Sequence, residues 1–587
     1  MKNFFKYMLA TIVGIIVVNI IFFLIFLIIV AAFSGSDDKV KIEPFSVLHL
    51  KFDYPITERT SNNPFENINF GSFETKSNPG LNDILRNIRK AKEDPNIKGI
   101  FLDIPDLNAG IATIEEIREA LLKFRSSGKF IIAYNDMFTQ GSYYLSTVAN
   151  KIYLNPQGIV EFKGLHSEIM FFKGTLEKLG VEPEIIRHGK FKSAVEPFIL
   201  DKMSPENREQ TLTYVGSIWN FLLKGISEQR NISVDSLNLY ADSMRVRNAN
   251  ACVKLKFVDG LKYYDEIVDE LKSSSGISAN KELRLVEMKD YKKVPNIYKS
   301  GKKNKIAIIY AVGQINMGKG DDKDIGSDDF SETIRKARKD TTIKAVVLRV
   351  NSPGGSALAS EVIWREIELT KKVKPVVVSM SDVAASGGYY ISCPADIIVA
   401  DHTTITGSIG VFGLLWNTQK FFNDKLGITI DGVQTNTNSE IGSIYRKITP
   451  GEKAVIQESV EQVYDVFLSH VSEGRKIEKA NVDSIGQGRV WSGVNAKEIG
   501  LIDEFGGIET ALDIAKKKAG ITTNIRVVEM PERLPFFEQI IKDMKENTST
   551  SYLQKELGTA YKYYKTLKNL TGLSGIQARM PYDVFLY

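Results

Sequence analysis

Two short apolar runs in the second half of the chain have the pattern of buried parallel strands. Residues 343–350 and 375–380 are rich in β-branched side chains and are flanked by polar residues, which is typical of strands covered on both faces. Each run ends near glycines and is followed by helical spacing, the first through NSPGGS (351–356) and the second through ASGGYY (385–390). Two strand-to-helix corners of this kind lie at one edge of a parallel sheet, where α/β proteins place their sites. The pattern therefore predicts an α/β fold.

A much longer apolar run, residues 8–33, carries no charge and has Asn19 within it. About 20 apolar residues span a bilayer, whereas the apolar core of a cleaved signal peptide has about 7–15, so the run predicts a retained transmembrane helix. Lysines precede the run and aspartates follow it, namely Lys2, Lys6, Asp37 and Asp38. This asymmetry predicts a cytoplasmic N-terminus, with the bulk of the chain outside the cytoplasm.

The chain repeats itself at an offset of about 246 residues. Residues 96–104 match residues 342–350, and the tyrosine pair 143–144 falls on the pair 389–390. The repeat predicts two tandem α/β domains, because each copy carries the same succession of strand and helix patterns. We expect a cytoplasmic tip with an anchor, a first repeat, a second repeat and a helical tail, at residues 1–40, 41–295, 303–535 and 536–587.

The two copies differ at the corners where chemistry is expected. At the same offset, Ser386 falls on Gln140, and the glycine pair 354–355 falls on residues 108–109, which are asparagine and alanine. The first copy thus keeps the scaffold but lacks both the serine and the glycines. Only the second copy could supply a serine nucleophile.

Ser386 is the candidate nucleophile because it stands between small residues at a turn from strand to helix. The free N–H groups of the helix start can stabilise an anion, as the acylation of a serine requires. The alternative is an N-cap serine with glycines that allow close packing. Gly354 and Gly355, just past the neighbouring strand, let the backbone approach a ligand. Together the two corners favour a nucleophile that faces an oxyanion hole.

Three motifs, NSPGGS (351–356), ASGGYY (385–390) and TGSIGV (406–411), resemble in order and spacing the signal peptide peptidase A family, also called the protease IV family. That family belongs to the Clp protease/crotonase superfamily. The resemblance covers nearly the whole chain and matches the long, two-repeat form. It implies two tandem Clp protease/crotonase-like α/β domains after the transmembrane helix. It also implies a serine endopeptidase with a Ser–Lys dyad that degrades remnant signal peptides.

The same resemblance implies a lysine base, which maps onto Lys192 in GKFKSAVEPF (189–198). Its counterpart at the repeat offset is Asn438, so each copy lacks what the other keeps and the site is expected to be composite. Burial among apolar and small residues would lower the pKa of the amine, as a base requires. The alternative is a solvated surface lysine, as expected for Lys190. A Ser-His-Asp triad would need a histidine instead, and the nearest in sequence is His402, which has the pattern of a strand-end residue.

The oxyanion hole is expected at the backbone N–H groups of Gly355 and Gly387, from the resemblance and from the geometry of the two corners. Gly354, Gly407 and Gly410 are candidate substrate-binding residues. Glycine-rich strand edges near the last two could pair with an extended peptide.

Composition narrows the remaining choices. The 587 residues carry a net charge of +5, which is nearly neutral for this length and indicates no nucleic-acid partner. Five scattered histidines and two distant cysteines, Cys252 and Cys393, lack metal-ligand spacing, so neither a metal nor a cofactor is expected. The resemblance implies signal peptides and other extended peptides as partners, and a homotetramer. It also implies a bacterial inner-membrane location with the catalytic domains on the periplasmic or extracytoplasmic side.

Two other functions stay open at this point. One is a crotonase-like acyl-CoA enzyme that uses the glycine oxyanion hole without a nucleophile; Ser386 and the membrane anchor argue against it. The other is a non-enzymatic membrane scaffold, suggested by the altered first repeat; the intact second repeat argues against it.

Overall fold

The protein is described here by a computed structural model, which covers residues 6–8, 11, 13–22, 41–61, 78–295, 304–321, 323–522, 525–533 and 575–580. Residues 13–22 are helical. Within the residues covered, no helix combines the length and the apolar character needed to cross a bilayer. The transmembrane helix predicted over residues 8–33 lies in large part outside the described residues.

The described chain is a succession of strands and helices, which confirms the predicted α/β class. The strands are β1 (Ser46–Leu50), β2 (Ile97–Leu102), β3 (Phe130–Phe138), β4 (Lys151–Val160), β5 (Glu182–Arg187), β6 (Gly260–Leu261), β7 (Leu285–Glu287), β8 (Lys305–Val312), β9 (Gln314–Asn316), β10 (Asp324–Gly326), β11 (Ile343–Ser352), β12 (Gly354–Ser356), β13 (Val376–Ala385), β14 (Ile397–Ala400), β15 (Ile405–Gly407), β16 (Phe412–Asn417), β17 (Val490–Ser492), β18 (Glu504–Phe505), β19 (Arg526–Met530) and β20 (Gly575–Arg579). The helices are α1 (Leu81–Glu93), α2 (Ile111–Arg125), α3 (Gln140–Ser146), α4 (Lys173–Leu179), α5 (Glu196–Ile199), α6 (Pro205–Arg230), α7 (Val234–Asp242), α8 (Ala249–Lys254), α9 (Tyr264–Ser275), α10 (Met288–Tyr291), α11 (Ser327–Lys339), α12 (Ala357–Lys371), α13 (Gly387–Ser392), α14 (Pro450–Arg475), α15 (Lys479–Ile485), α16 (Gly493–Glu498) and α17 (Ile508–Lys518).

The first repeat builds a parallel sheet in the order β6-β4-β3-β2-β1-β7. Its central strands are rich in apolar residues, and five of the six residues of β2 are buried. Strands of this kind are stable only where helices cover both faces of the sheet. The amphipathic helices α1 and α2 supply part of that cover, with their apolar sides buried.

The second repeat builds the same sheet, in the order β18-β14-β13-β11-β8-β19, again with parallel pairs. Each strand stands where its counterpart of the first repeat stands, so the internal repeat predicted from the sequence is a structural repeat. Past the end of β14, β15 continues beside β13, and β17 pairs antiparallel with β15. The carboxyl ends of β11 and β13 lie next to each other at this edge.

A third sheet, in the order β10-β9-β12-β20-β16-β5, is shared by the two repeats. Strand β5 comes from the first repeat and pairs antiparallel with β16 of the second, with Arg187 opposite Phe412. Strand β20 lies between β12 and β16. Of the tail expected to be helical over 536–587, only residues 575–580 are described. The helix expectation is wrong for residues 575–579, because strand partners on both sides satisfy their backbone groups.

A buried ion cluster lies where the two repeats meet. Arg349 on β11 is fully buried and donates to Glu58 at 2.8 Å and to Glu116, both from the first repeat. Its guanidinium also donates to the hydroxyls of Ser379 and Ser381, each at 2.8 Å. A buried charge of this kind is tolerated only when its partners are in place, so the cluster requires that the two repeats be docked.

Candidate active site

Ser386 stands where β13 ends and α13 begins. Its backbone has φ 56° and ψ −114°, a positive φ that is costly for a residue with a side chain. Its N–H donates to the carbonyl of Gly407 at 2.8 Å, and its side chain makes no capping hydrogen bond. The structure thus departs from the N-cap alternative, because the hydroxyl is left for another partner.

That partner is Lys192 of the first repeat. Its Nζ lies 2.9 Å from the Oγ of Ser386, although the two residues are 194 positions apart in the chain. Both residues are 0 % exposed. The structure therefore brings together the two residues that the sequence singled out, one from each repeat, in a composite site.

The backbone around Lys192 is fixed by close contacts with its neighbours. Gln210 on α6 donates through Nε2 to the carbonyl of Phe191 at 3.1 Å and to the hydroxyl of Ser193 at 2.8 Å. On the other side, Gly488 packs so closely that a Cβ placed on it would lie 2.6 Å from the Cβ of Lys192. These contacts hold the lysine side chain in one direction, towards Ser386.

Ser408 completes the surroundings of the amine. The Nζ of Lys192 lies 3.0 Å from the Oγ of Ser408 and 3.2 Å from its carbonyl oxygen. Ser408 has φ 49°, so its backbone also adopts the rare left-handed region. The sequence prediction missed this residue, although it lies inside the motif TGSIGV. A serine among glycines one strand away from the candidate nucleophile was the available signal.

Burial lowers the pKa of Lys192 well below its ordinary value, because no water solvates the ammonium form. Its hydrogen-bond partners at the amine are hydroxyl and carbonyl oxygens rather than a carboxylate. A neutral amine has a lone pair with which to accept the hydroxyl proton of Ser386. The arrangement can therefore do nucleophilic acyl chemistry.

The two glycine corners face each other beside the serine. A Cβ placed on Gly354 would lie 2.6 Å from the nitrogen of Gly387, and one on Gly387 would lie 3.1 Å from the Cα of Gly354. Gly355 is equally crowded, since a Cβ there would lie 2.0 Å from the carbonyl oxygen of Ile315. Side chains are excluded on both corners, which leaves backbone N–H groups to line the space next to Ser386.

An extended peptide was expected to pair with strand edges near Gly407 and Gly410, and at Gly407 the structure has no free edge. Gly407 belongs to β15, which has β13 on one side and β17 on the other, so its strand has no free edge. A Cβ on Gly410 would lie 3.2 Å from the Cδ of Lys192. Gly407 accepts the N–H of Ser386 through its carbonyl, and Gly410 allows the backbone to pass close to Lys192.

The sequence of the chain matches a known protein family and several of its members. The model described as "Peptidase family S49" matches residues 123–278 and 368–522. "Protease 4" of Haemophilus influenzae is 38% identical over 446 residues, which cover 74% of this chain and 72% of that protein. "Protease 4" of Salmonella typhi is 39% identical over 450 residues, covering 75% and 72%.

The chain belongs to peptidase family S49.

A chloroplast relative extends the match to most of the chain. "Serine protease SPPA, chloroplastic" of Arabidopsis thaliana is 33% identical over 524 residues, which cover 87% of this chain and 76% of that protein. Each repeat of this S49 chain carries one match to the family model, as expected for two tandem domains. The chain is therefore a serine protease, and the acyl chemistry of the site agrees with that activity.

The partners of His402 in this S49 peptidase are an acidic side chain and two aromatic rings. Its Nδ1 is 2.6 Å from Glu115 of the first repeat, and its ring stacks between Phe221 and Phe505 at centroid distances of 4.4 and 4.0 Å. These contacts account for the residue as part of the packing between the repeats.

The first repeat of the S49 chain has a closed corner where the second has Ser386. Gln140 is buried there, and its Oε1 accepts from the backbone N–H groups of Lys163 at 3.0 Å and Gly164 at 3.1 Å. Its Nε2 donates back to the carbonyl of Gly164 at 3.1 Å. Asn438, the counterpart of Lys192, is exposed. The corner of the first repeat is thus filled by an amide that holds a loop.

Proposed function

We propose that this serine protease is a membrane-anchored endopeptidase that uses Ser386 as nucleophile and Lys192 as general base. The observation that supports it most is the 2.9 Å distance between the two side chains, both fully buried. A buried lysine without a carboxylate partner is costly for the fold, and a catalytic role explains why such a lysine is present. The N–H groups of Gly355 and Gly387 form the oxyanion hole in this proposal.

The proposed reaction has two halves. Lys192 takes the hydroxyl proton of Ser386 as Oγ attacks the peptide carbonyl, and the glycine N–H groups stabilise the negative oxygen that develops. The lysine then gives the proton to the leaving nitrogen, which frees one product and leaves an ester on Ser386. A water molecule, deprotonated by Lys192, hydrolyses the ester. Ser408 keeps the amine directed at Oγ throughout.

The pH dependence of peptide hydrolysis tests the base. Lys192 must be neutral, so activity should rise with pH through the depressed pKa of the lysine and reach a plateau at alkaline pH. A histidine base would bring that rise near pH 6.5. Lys192→Arg keeps the charge but cannot lose its proton, so it should be as inactive as Lys192→Ala.

Two further variants complete this test. Ser386→Ala should be inactive and should not react with a fluorophosphonate, while the wild type should be labelled on that serine. His402→Ala should keep most of the activity in folded protein. Substantial activity of Lys192→Arg, or complete loss in folded His402→Ala, would contradict the dyad. Absence of labelling in the wild type would instead favour an acyl-CoA enzyme or a scaffold.

For substrates, we propose remnant signal peptides after their release from preproteins. The resemblance found in the sequence implies them, and their small and apolar side chains suit a narrow groove with glycines on both corners. Synthetic signal peptides should be cut at small residues, and replacement of the residue before the cut by aspartate should abolish the cut. Equal cutting of polar and apolar peptides would contradict this substrate class.

We further propose an inner-membrane location, with an anchor over residues 8–33, a cytoplasmic N-terminus and the catalytic domains on the extracytoplasmic side. The lysines before the run and the aspartates after it support this orientation. A reporter that works only outside the cytoplasm, fused after Tyr587 in the Ser386→Ala background, should be active. An inactive fusion whose cytoplasmic counterpart works would reverse the topology.

The assembly proposed is a homotetramer, again by the resemblance alone. Sedimentation of the purified full chain in detergent should give four copies in each particle. A monomer at working concentration would exclude the tetramer without affecting the dyad, because both dyad residues lie in one chain.

A further inference from the structure

The six strands of the first-repeat sheet are parallel, so their amino ends lie at one edge of that sheet. A basic residue stands within five residues of the start of every one of them. Neighbouring strands are about 4.8 Å apart, so the row of basic residues extends over roughly 24 Å. In the spatial order β6, β4, β3, β2, β1 and β7, these residues are Lys256, Lys151, Lys129, Lys98, Lys41 and Arg284.

Six lysines at this edge have no partner for their charge. Within the part of the chain that the structure describes, none of them forms an ion pair or a side-chain hydrogen bond, and five of the six are exposed. Lys129 differs, because its Nζ donates to the carbonyls of two residues at 2.6 and 2.7 Å. We call the six lysines the basic edge; they are Lys41, Lys98, Lys151, Lys254, Lys256 and Lys281.

The carboxylates beside the basic edge do not neutralise it. Glu43 and Asp259 are each bound by an arginine, at 2.8 and 3.1 Å. Glu93 and Glu282 are exposed acids at the same edge, so they balance only part of the charge of six lysines. The whole chain carries a net charge of only +5. The basic edge is therefore a local concentration of positive charge rather than a property of the entire surface.

An exposed aromatic ring stands within the basic edge. Phe45 lies just before β1, is 44 % exposed and has φ 67°, a left-handed backbone that is costly for an aromatic residue. The Nζ of Lys98 lies 5.3 Å from the centre of its ring. Aromatic rings beside basic side chains are typical of the zone in which a protein meets lipid headgroups.

The basic edge also lies where the chain arrives from the proposed anchor. Seven residues, 34–40, separate the apolar run 8–33 from Lys41. A stretch of that length spans at most about 30 Å, even when it is fully extended. An embedded anchor therefore keeps the amino edge of β1 within reach of the bilayer surface.

We propose that the basic edge of the first repeat binds anionic phospholipid headgroups of the bilayer that holds the anchor. This inference rests on the proposed anchor and deepens it by naming the lipid class and the residues that meet it. The lysines are attracted to the negative potential of an anionic bilayer surface, and Phe45 packs among the headgroups. With the anchor as one attachment and the basic edge as a second, the orientation of the repeats on the membrane is fixed.

Lysine acetylation of the full chain in lipid nanodiscs tests this contact. Discs of phosphatidylcholine alone are compared with discs that also contain phosphatidylglycerol, and mass spectrometry gives the rate at each lysine. In the anionic discs the lysines of the basic edge should react about fivefold more slowly, and high salt should restore their rates because it screens the attraction. Lys51 and Lys163, exposed after the carboxyl ends of β1 and β4, are the matched controls and should react equally in both discs.

A charge reversal separates attraction from simple crowding by the bilayer. A variant with Lys151→Glu, Lys254→Glu and Lys256→Glu should lose most of the difference between the two kinds of disc at Lys98. Lys51→Glu, at the opposite edge of the same sheet, should keep that difference. All four positions are exposed, so thermal unfolding of both variants should match that of the wild type.

The outcomes separate this inference from the proposed anchor. Equal acetylation of the basic edge in the two kinds of disc overturns the lipid contact and leaves the anchor standing. An equal slowing at Lys51 and Lys163 overturns the assignment to this edge, as does a charge-reversed variant that behaves like the wild type. Release of the chain from the discs by high salt overturns the anchor instead, and slower acetylation of the basic edge before that release supports the lipid contact.

Discussion

If Lys192 is neutral in the folded protein, the free energy of unfolding depends on pH, and the substitution Lys192→Met should remove that dependence. Lys192→Met keeps an unbranched, apolar chain of similar length in the buried position and deletes the amine. Burial holds the pKa of Lys192 well below its ordinary value, whereas in the unfolded chain the amine titrates near 10.4. Between these two pKa values, unfolding takes up a proton, so acid favours the unfolded state.

The size of the effect follows from linkage. Because the folded pKa is the lower one, the penalty is absent above about pH 10.4, grows as the pH falls, and stops growing below the folded pKa. Inside that window the stability of the wild type falls by about 1.4 kcal/mol per pH unit relative to the variant. Over 1.5 pH units the difference amounts to about 2 kcal/mol. Lys192→Met should thus be inactive and, increasingly as the pH falls, more stable than the wild type.

Denaturant unfolding at a series of alkaline pH values measures this difference. The hydrogen bonds lost with the amine shift the two curves by a constant, so the slope of the difference with pH is the informative quantity. Lys190→Met, two residues earlier and exposed, is the matched control and should run parallel to the wild type. If Lys192→Met also runs parallel to the wild type, the buried amine keeps its proton, and the reasoning that makes it a base is refuted.

Three further results are expected. Gln140→Ala should cost about 1–3 kcal/mol of stability, because buried N–H groups lose their acceptor. Peptide hydrolysis per folded molecule should stay near that of the wild type. A large loss of activity would show that both repeats share the chemistry. Gly387→Ala puts a methyl group next to the proposed oxyanion hole and against the hydroxyl of Ser360, and it should lower kcat on the order of 10²-fold. Gly216→Ala, with open space around it, should leave kcat unchanged. Equal kcat values would exclude Gly387 from the oxyanion hole. Arg349→Met should destabilise the protein by about 3–5 kcal/mol in chemical unfolding, because two carboxylates stay buried without their cation. Arg335→Met removes an exposed guanidinium whose partner Glu366 keeps Arg338, so it should cost under about 1 kcal/mol. Similar losses from both would contradict the role of burial.

The corner at Ser386 could be predicted because every part of it is local. The apolar strand, the small residues around the turn and the start of the next helix all lie within 375–391, and their order in the sequence dictates their order in space. The internal repeat could be predicted for the same reason, since the pattern of β2 recurs in β11. Lys192 was found through resemblance to a family motif. The residues around it in the sequence do not predict that it contacts Ser386, which lies 194 positions away.

The contacts between the two repeats could not be predicted from local sequence patterns. The pairing of β5 with β16 joins segments that share no sequence pattern. The strand β20, which pairs with β12 and β16, was taken for part of a helical tail because its strand partners are distant in sequence. Arg349 could have been found, since a charge within an apolar parallel strand must have buried partners.

The division of the dyad between two repeats has a consequence for how activity returns after unfolding. Each repeat has its own parallel sheet, so its secondary structure can form before the repeats dock. The 2.9 Å contact of Lys192 with Ser386 exists only after docking. The recovery of peptide hydrolysis therefore measures the rate at which the two repeats dock, not the rate at which each repeat folds. On dilution from denaturant, the far-UV circular dichroism should recover first. Peptide hydrolysis should return only after the two repeats have docked.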